Sequence, residues 1–313
     1  MPVGCNGEHQ SRMDIRRFKS FVVIVDTGSI TRAADILHIA QPALSQQLAA
    51  LEEHFGTKLL IRSQQGVVMT DAGAELYRHA QIILRQMEQA HADVVAAGKH
   101  LAGRVSVGLT PFSGAATLSF ELLAETRRRH PGITLHLTES VGQTYSQMLM
   151  NNRLEIALIH GAGPMKGLRF SPLLREDFYL VAHEKFGIEA SDTPIAISAL
   201  ESLPFLLPPP YNFVRRAVET AFSRSRTNLT VIGEVEVIRT LARAVGTGLG
   251  ATIMPKAVAD RIVSEGTGPI VSRSISPKIE ETLSLCVSEH ASLSDPAAAV
   301  QDILRELTER LKQ

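Results

Sequence analysis

The sequence predicts an α/β chain overall, in three parts: an all-α head with a small β wing, a long linker helix and a two-lobed α/β domain. Three observations predict it. From Met13 onward, apolar residues recur at helical spacing, punctuated by glycine and proline. From about Thr70 to Gly98 a regular apolar seam runs without a proline. Beyond Gly103, short strand-like runs alternate with helical ones. The 313 residues exceed what one small core usually takes, in keeping with two domains and a connector.

The head begins at Met13, and residues 1–12, which carry no periodicity, are expected to form a disordered tail. In MDIRRFKSFVVIVDTGS, Phe18, Phe21, Val22 and Val25 share one helical face. Gly28 stops that helix and Ser29 caps the next. A short helix from Ile30 to Leu37 carries Ala33 and Ala34, small enough for a neighbour to approach closely. After a tight connection at 38–40, Pro42 falls in a first turn, where its missing N–H costs nothing. Leu44, Leu48 and Leu51 form the buried stripe of this third helix, leaving Gln41, Ser45, Gln46 and Ala49 on the other face. Two short helices, a turn and a second helix that opens on small polar residues read as a helix-turn-helix over about 30–49. An ordinary helical hairpin with a solvated face fits the spacing too.

The chemistry of that face suits base edges. Glutamine pairs bidentately with adenine, serine bonds either base type, and Ala43 suits a thymine methyl. LLIRSQQGVVMTDAG then gives two short apolar runs around Gly66, a β-hairpin wing that completes a winged head over 13–70 and places Arg62 for a phosphate or the minor groove. Between Met13 and Gly73 six basic residues meet six acidic ones, so a DNA-binding head must gather its cations in space.

The linker, 71–99, places Leu76, Ala80, Ile83, Met87, Ala90, Val94 and Ala97 at alternating steps of four and three, an a/d seam for two paired helices. The competing reading is an amphipathic helix lying on its own core. From 103 to 313, strand runs (RVSVGL, LEIALIH, FYLVAHE, LPFLLPP, LTVIGEVE, GATIMP) alternate with helices, which implies parallel pairing through crossovers. Breaker-rich stretches near 161–167 and 265–278 suggest two crossings between lobes. The first lobe is expected at about 103–162 and 278–313, the second at about 168–268. In such sheets ligands sit at the carboxyl ends of strands. That edge holds Thr110, Pro111, Phe112, Ser113, Ser140, Gly142, His160, Gly161, the stretch from Pro208 to Phe213, and Thr247. These are also ordinary loop positions.

Several classes are disfavoured. Net charge is zero, against general coating of nucleic acid but not against a sequence-specific reader. No run of about 20 apolar residues spans a bilayer, and residues 1–12 lack a secretory core, so a cytoplasmic protein is expected. The two cysteines, Cys5 and Cys286, have neither disulfide nor zinc spacing, and Cys286 reads as core. GTGLGA at 246–251 follows a helix, the wrong context for a dinucleotide site. No nucleophile elbow, metal pair or Walker sequence occurs, so neither an enzyme nor a cofactor is expected. Met148, Met150 and Met254 read as core filler.

The run from FVVIVDTGS through TDAG, with AA in its second helix, QPALSQQ opening the third, LE-x-x-x-G-x-x-L-x-x-R into the wing and T-x-AG after it, resembles the head of LysR-type transcriptional regulators. Within that family it resembles the nitrogen assimilation control branch most. The resemblance implies a homodimer or homotetramer bound to promoter DNA. Gln41, Pro42, Ala43, Ser45 and Gln46 would lie in the major groove, Thr31 and Arg32 near phosphates, and Arg62 at the wing contact. Leu76, Ala80, Ile83, Met87, Ala90 and Val94 would pair the linkers. The rear domain would be a periplasmic-binding-protein-like effector domain, with the strand-end residues forming a small-molecule cleft, and RNA polymerase would be a further partner. The alternative function is a cytosolic small-molecule binder whose head serves only dimerisation.

Overall fold

The computed structural model describes residues 14–63, 66–96, 101–140, 142–160, 165–289 and 292–311. The expected tail at 1–12 lies outside them, as do the wing-turn residues Gln64 and Gln65, Ala97 and Gly161. The chain divides into two compact units, residues 1–95 and 96–313.

The first unit opens with α1 (Ile15–Thr27), whose N-cap Asp14 accepts from the Arg16 amide at 2.9 Å. Gly28, at φ 63°, ends it in the left-handed turn that glycine adopts without strain. Ser29 caps α2 (Ile30–Leu37), and α3 (Gln41–Phe55) carries Pro42 in its first turn. Their core is Phe18, Phe21, Ile24, Ala33, Ala34, Leu44, Leu48 and Leu51. Ile24 is fully buried, while Val22 and Val25 of the expected stripe are only half-buried. Neighbours on two sides of α1 shift the buried face around the helix.

The wing is an antiparallel pair, β1 (Leu60–Ser63) and β2 (Gly66–Met69), with Arg62 opposite Val67. The Val67 amide donates to the Gly28 carbonyl at 3.0 Å, and a Cβ on Gly66 would sit 2.5 Å from that same oxygen. The wing is thus seated on the end of α1. Buried Glu52 of α3 takes the amides of Leu59 and Leu60 at 3.0 and 3.3 Å and the Lys58 ammonium at 2.6 Å. Burial alone would raise its pKa; the Lys58 and amide hydrogen bonds outweigh that and hold it below the usual carboxylate value. Thr70 donates to the Lys58 carbonyl and accepts from the Gly73 amide, and a Cβ on Gly73 would lie 2.0 Å from the Leu59 oxygen. Both LE-x-x-x-G and T-x-AG therefore lock the wing root.

Helix α4 (Asp71–Ala96) runs 26 residues, about 39 Å. Its seam divides. Ala80 is fully buried and Leu76 half-buried in the head's own core beside Tyr77, whose hydroxyl bonds Asp26. Ile83, Met87, Ala90 and Val94 are exposed, Val94 at 75%. The expectation that all six residues face a partner is corrected at Ala80, which is fully buried in the head's own core.

The second unit contains β3 (Ala102–Leu109), α5 (Gly114–Thr117), α6 (Ser119–Arg129), β4 (Gly132–Glu139), α7 (Gly142–Met150), β5 (Ile156–His160) and β6 (Leu168–His183). It continues with β7 (Ile195–Ala196), β8 (Pro204–Leu207), α8 (Phe213–Arg224), β9 (Thr230–Glu234), α9 (Ile238–Gly246), β10 (Thr252–Pro255) and α10 (Lys256–Glu265). The chain ends with β11 (Ile270–Ser276), β12 (Glu280–Ser288) and α11 (Asp295–Arg310). β4, β3 and β5 run parallel through helical crossovers, as alternating patterns require. β12 closes on β5 antiparallel, and β6 pairs β12 over its first half, then β10 and β11 over its second. A separate parallel pair, β8–β9, flanks the second lobe.

Two cores follow from this layout. One gathers β3, β5, β12, α6 and α11 around Val107, Leu158, Leu285 and Leu304. The other gathers β6, β8, β10, α8 and α9 around Leu180, Phe205, Ile253 and Val218. The first lobe boundary differs from expectation, while the return near 278 agrees with it. Residues 168–177 belong to the first lobe's sheet, and the crossing comes at Asp177–Phe178 inside the unbroken strand β6. The return crossing is at Pro277–Lys278, after β11 has paired within the second lobe. A strand that changes sheets needs no glycine or proline, so no breaker marks the first crossing, whereas the return falls at Pro277, at the end of the breaker-rich stretch. Met254 is core and Met148 half-buried, whereas Met150 is 36% exposed. Cys286 is buried, and desolvation pushes its thiol up to about 12.

Candidate nucleic-acid interface and ligand cavity

The first turn of α3 stands clear of the head. Leu44, Leu48 and Leu51 anchor one side of the helix in the core, while Gln41, Pro42, Ala43 and Gln46 are exposed and Ser45 half-exposed. The Gln41 side-chain amide donates to the Ser45 hydroxyl at 2.9 Å, which orients both along one face. Thr31 and Arg32 are exposed on α2, where the Arg32 guanidinium donates to the Thr27 carbonyl at 2.6 Å. Arg62 lies on β1 of the wing. Acids answer part of the head's basic set: Asp14 pairs Arg16 at 3.2 Å and Glu52 pairs Lys58.

In the second unit a cavity of about 850 Å³ lies between the lobes. Seven expected residues line it: Thr110 and Pro111 after β3, Ser140 after β4, His160 at the end of β5, and Tyr211, Asn212 and Phe213 leading into α8. Others do not. Phe112, at φ 59°, turns into the second lobe's core. Ser113 is fully buried, donating to the Thr110 carbonyl at 2.6 Å and capping α5. Gly142 begins α7, and exposed Thr247 donates to the Ala244 carbonyl at 3.1 Å. These loop residues spend their polar groups on local structure. Thr110 also donates its hydroxyl to the Leu158 carbonyl.

Sequence reasoning missed Ser146, Met165, Phe170, Arg216 and Glu236, which also line the wall. Arg216 and Glu236 come from the second lobe, and no local pattern marks them as facing the first. Tyr211 donates to Glu236 at 2.7 Å. Asn212 caps α8 by accepting from the Val214 amide at 2.9 Å. At the centre, the His160 ring stacks on Phe213 with centroids 3.8 Å apart and planes 1° from parallel. Its Nε2 meets the Glu176 carboxylate, whose other oxygen accepts the Gly114 amide at 2.6 Å.

The head matches, over residues 15–74, the profile described as bacterial regulatory helix-turn-helix protein, lysR family; residues 98–309 match the LysR substrate binding domain. The chain belongs to the LysR family. It is therefore a sequence-specific DNA-binding transcriptional regulator and not an enzyme. Among curated relatives, the nitrogen assimilation regulatory protein nac of Klebsiella aerogenes is 41% identical over 298 residues, covering 95% of this chain and 96% of that protein. Of solved structures, full-length OxyR of Pseudomonas aeruginosa superposes with a TM-score of 0.72 at 22% identity, covering 95% of each chain. Full-length CbnR complexed with its target DNA gives 0.68 at 20% identity, covering 94% of this chain and 99% of that one. These likenesses agree with the winged head, linker helix and two-lobed α/β domain. Among the described residues no helix is long and apolar enough to cross a membrane.

Proposed function

We propose that this LysR regulator reads an interrupted palindrome in promoter DNA as a homodimer or a homotetramer, under the control of a small effector in its interlobe cavity or of its own abundance. The observation that carries the reading is the exposed, polar first turn of α3 on a helix held rigidly by its leucine stripe. Gln41, Pro42, Ala43, Ser45 and Gln46 enter the major groove, Thr31 and Arg32 hold phosphates, and Arg62 at the wing reaches the backbone or minor groove. The exposed half of α4, at Ile83, Met87, Ala90 and Val94, pairs two chains and sets their recognition helices about one DNA turn, roughly 34–36 Å, apart. Effector binding changes the lobe packing and re-spaces the heads, altering DNA bend and a contact with RNA polymerase. The protein works in the cytoplasm, and the relative named for nitrogen assimilation suggests target genes in that process.

The test is selection of bound fragments from sheared genomic DNA, with a Ser45→Ala/Arg62→Ala variant alongside. An interrupted palindrome upstream of genes, lost in the variant, is the expected result. Loss of one good base contact removes about 1–3 kcal/mol of discrimination. Equal enrichment by the variant would remove these residues from base and phosphate reading. No enrichment at moderate salt would leave the head a dimer module only.

A further inference from the structure

The head carries a groove of its own, between α3 and the wing, of about 310 Å³. One wall is a single face of α3, with Ser45, Leu48 and Glu52, and the other comes from Leu60 and Val67 of the wing. Lys58, its side chain 77% exposed, stands at the rim. The lining is apolar at depth: Leu48 and Leu60 are buried and Val67 is half-buried. Ser45 belongs both to this wall and to the face that carries Gln41, whose side-chain amide it accepts. The groove therefore runs on from the exposed first turn of α3 toward the wing.

The cation at its rim is held in place. Buried Glu52 takes the Leu59 and Leu60 amides on one oxygen and the Lys58 ammonium on the other. Both oxygens are committed, so this carboxylate is answered from within and does not turn outward. The Lys58 backbone is fixed as well, its carbonyl accepting the Thr70 hydroxyl at 2.8 Å. An ammonium has three N–H groups to give. One goes to Glu52, and the Lys58 side chain makes no other bond among the described residues. A lysine that captures an anion loses rotamer freedom on binding; here Glu52 has removed much of that freedom in advance.

We propose that this groove seats the sugar–phosphate backbone of the DNA strand passing from α3 to the wing, with Lys58 donating to a phosphate oxygen and Glu52 acting as the positioning residue that holds it there. This rests on the reading of the head as a promoter reader and adds a contact beyond Thr31, Arg32 and Arg62. A helix in the major groove and a hairpin beside it bracket one stretch of backbone, and the groove lies between those two elements. The chemistry matches on both counts. Deoxyribose turns a largely apolar face to Leu48, Leu60 and Val67, and the phosphate brings the charge that the ammonium answers. Phosphate oxygens carry no sequence information, so Lys58 strengthens every duplex alike.

The test is a salt titration of the full chain on a short duplex of random sequence, read by fluorescence anisotropy below the melting transition of each variant. In Lys58→Gln the dependence of log K on log salt should be shallower by about 0.9 for each head bound, with affinity about fivefold lower per head near physiological salt. Lys58→Arg keeps the charge and should keep the slope. Lys185→Gln, which removes a lysine from the second unit, should leave it unchanged. Glu52→Gln should weaken duplex binding in the native background and not in Lys58→Gln. A native slope in Lys58→Gln overturns the contact, as does an equal fall in Lys185→Gln, which would mark a general effect of charge. Tighter binding by Glu52→Gln in both backgrounds would make Glu52 a repeller of DNA and overturn its positioning role. Selection of genomic fragments runs alongside. A shallower slope with no operator recovered removes the promoter-reading account and leaves the backbone seat standing. A recovered operator with a native slope in Lys58→Gln removes the seat alone.

Discussion

The head and the two-lobed domain solve the same problem, exposing a recognition surface on a rigid frame, by opposite means. In the head, the exposed residues and their anchors alternate along one helix, so Gln41, Ser45 and Gln46 are held by Leu44, Leu48 and Leu51 a turn away. In the two-lobed domain, the cavity wall is assembled from strand ends and helix starts more than a hundred residues apart, from Thr110 to Glu236. A surface built within one helix is insensitive to the rest of the chain, whereas a surface shared by two lobes changes when either lobe moves. This suits the first to reading a fixed duplex and the second to sensing.

The largest test of that contrast is a pair of core deletions. Leu44→Ala and Leu283→Ala, both at fully buried sites, should each cost about 2–5 kcal/mol. In calorimetry, Leu44→Ala should lower only the head's transition and abolish DNA binding. Leu283→Ala should lower only the other transition and spare binding by the head. A single transition shifted equally by both would show the two units to be one cooperative body.

Next in size is Gly73→Ala. The added Cβ meets the Leu59 oxygen at 2.0 Å, so the wing root must shift, at about 1–3 kcal/mol. The expected outcome is a lowered head transition and weakened operator affinity, with the other transition unmoved. The smallest effect is that of Glu52→Gln, which keeps an acceptor for the Leu59 and Leu60 amides but loses the Lys58 charge. It should cost on the order of 1 kcal/mol at neutral pH. Because the folded carboxyl titrates below its unfolded value, its stabilisation is full above about pH 5 and fades as pH falls through the carboxylate range. Melting curves of the two proteins should therefore converge in acid. Curves that stay parallel would remove Glu52 from the account of the wing root.

The same contrast governs what could be read from sequence. Caps, stops and stripes act within a few residues, so Ser29, Gly28, Pro42 and the leucine stripe were legible, as was the hairpin wing. The docking of the wing on Gly28 and the burial of Ala80 depend on tertiary neighbours, and the linker seam was read too uniformly for that reason. In the second unit the alternating strands were legible, but the first half of β6 was not. Its pairing with β12 shifts register between Leu283 and Ser284, with Pro172 beside the irregularity, and a bulge destroys the alternation that identifies a strand. Of the cavity, the strand-end residues Thr110, Ser140 and His160 followed from topology. Arg216, on α8, and Glu236, in the loop before α9, did not, since nothing in a helix or a loop announces which lobe will face it.

The continuity of β6 carries a mechanical meaning. One strand belongs to two hydrogen-bonded ladders, changing partners at Asp177–Phe178, and the return strand crosses beside it with Lys278 held to Asp177 at 2.8 Å. Rotation of one lobe against the other then loads a pair of adjacent peptide segments in torsion and breaks neither ladder. The joint behaves as a short torsion spring: it returns to one resting angle, permits small rotations at little energetic cost, and resists large ones steeply. Anything bound between the lobes is read out as an angle.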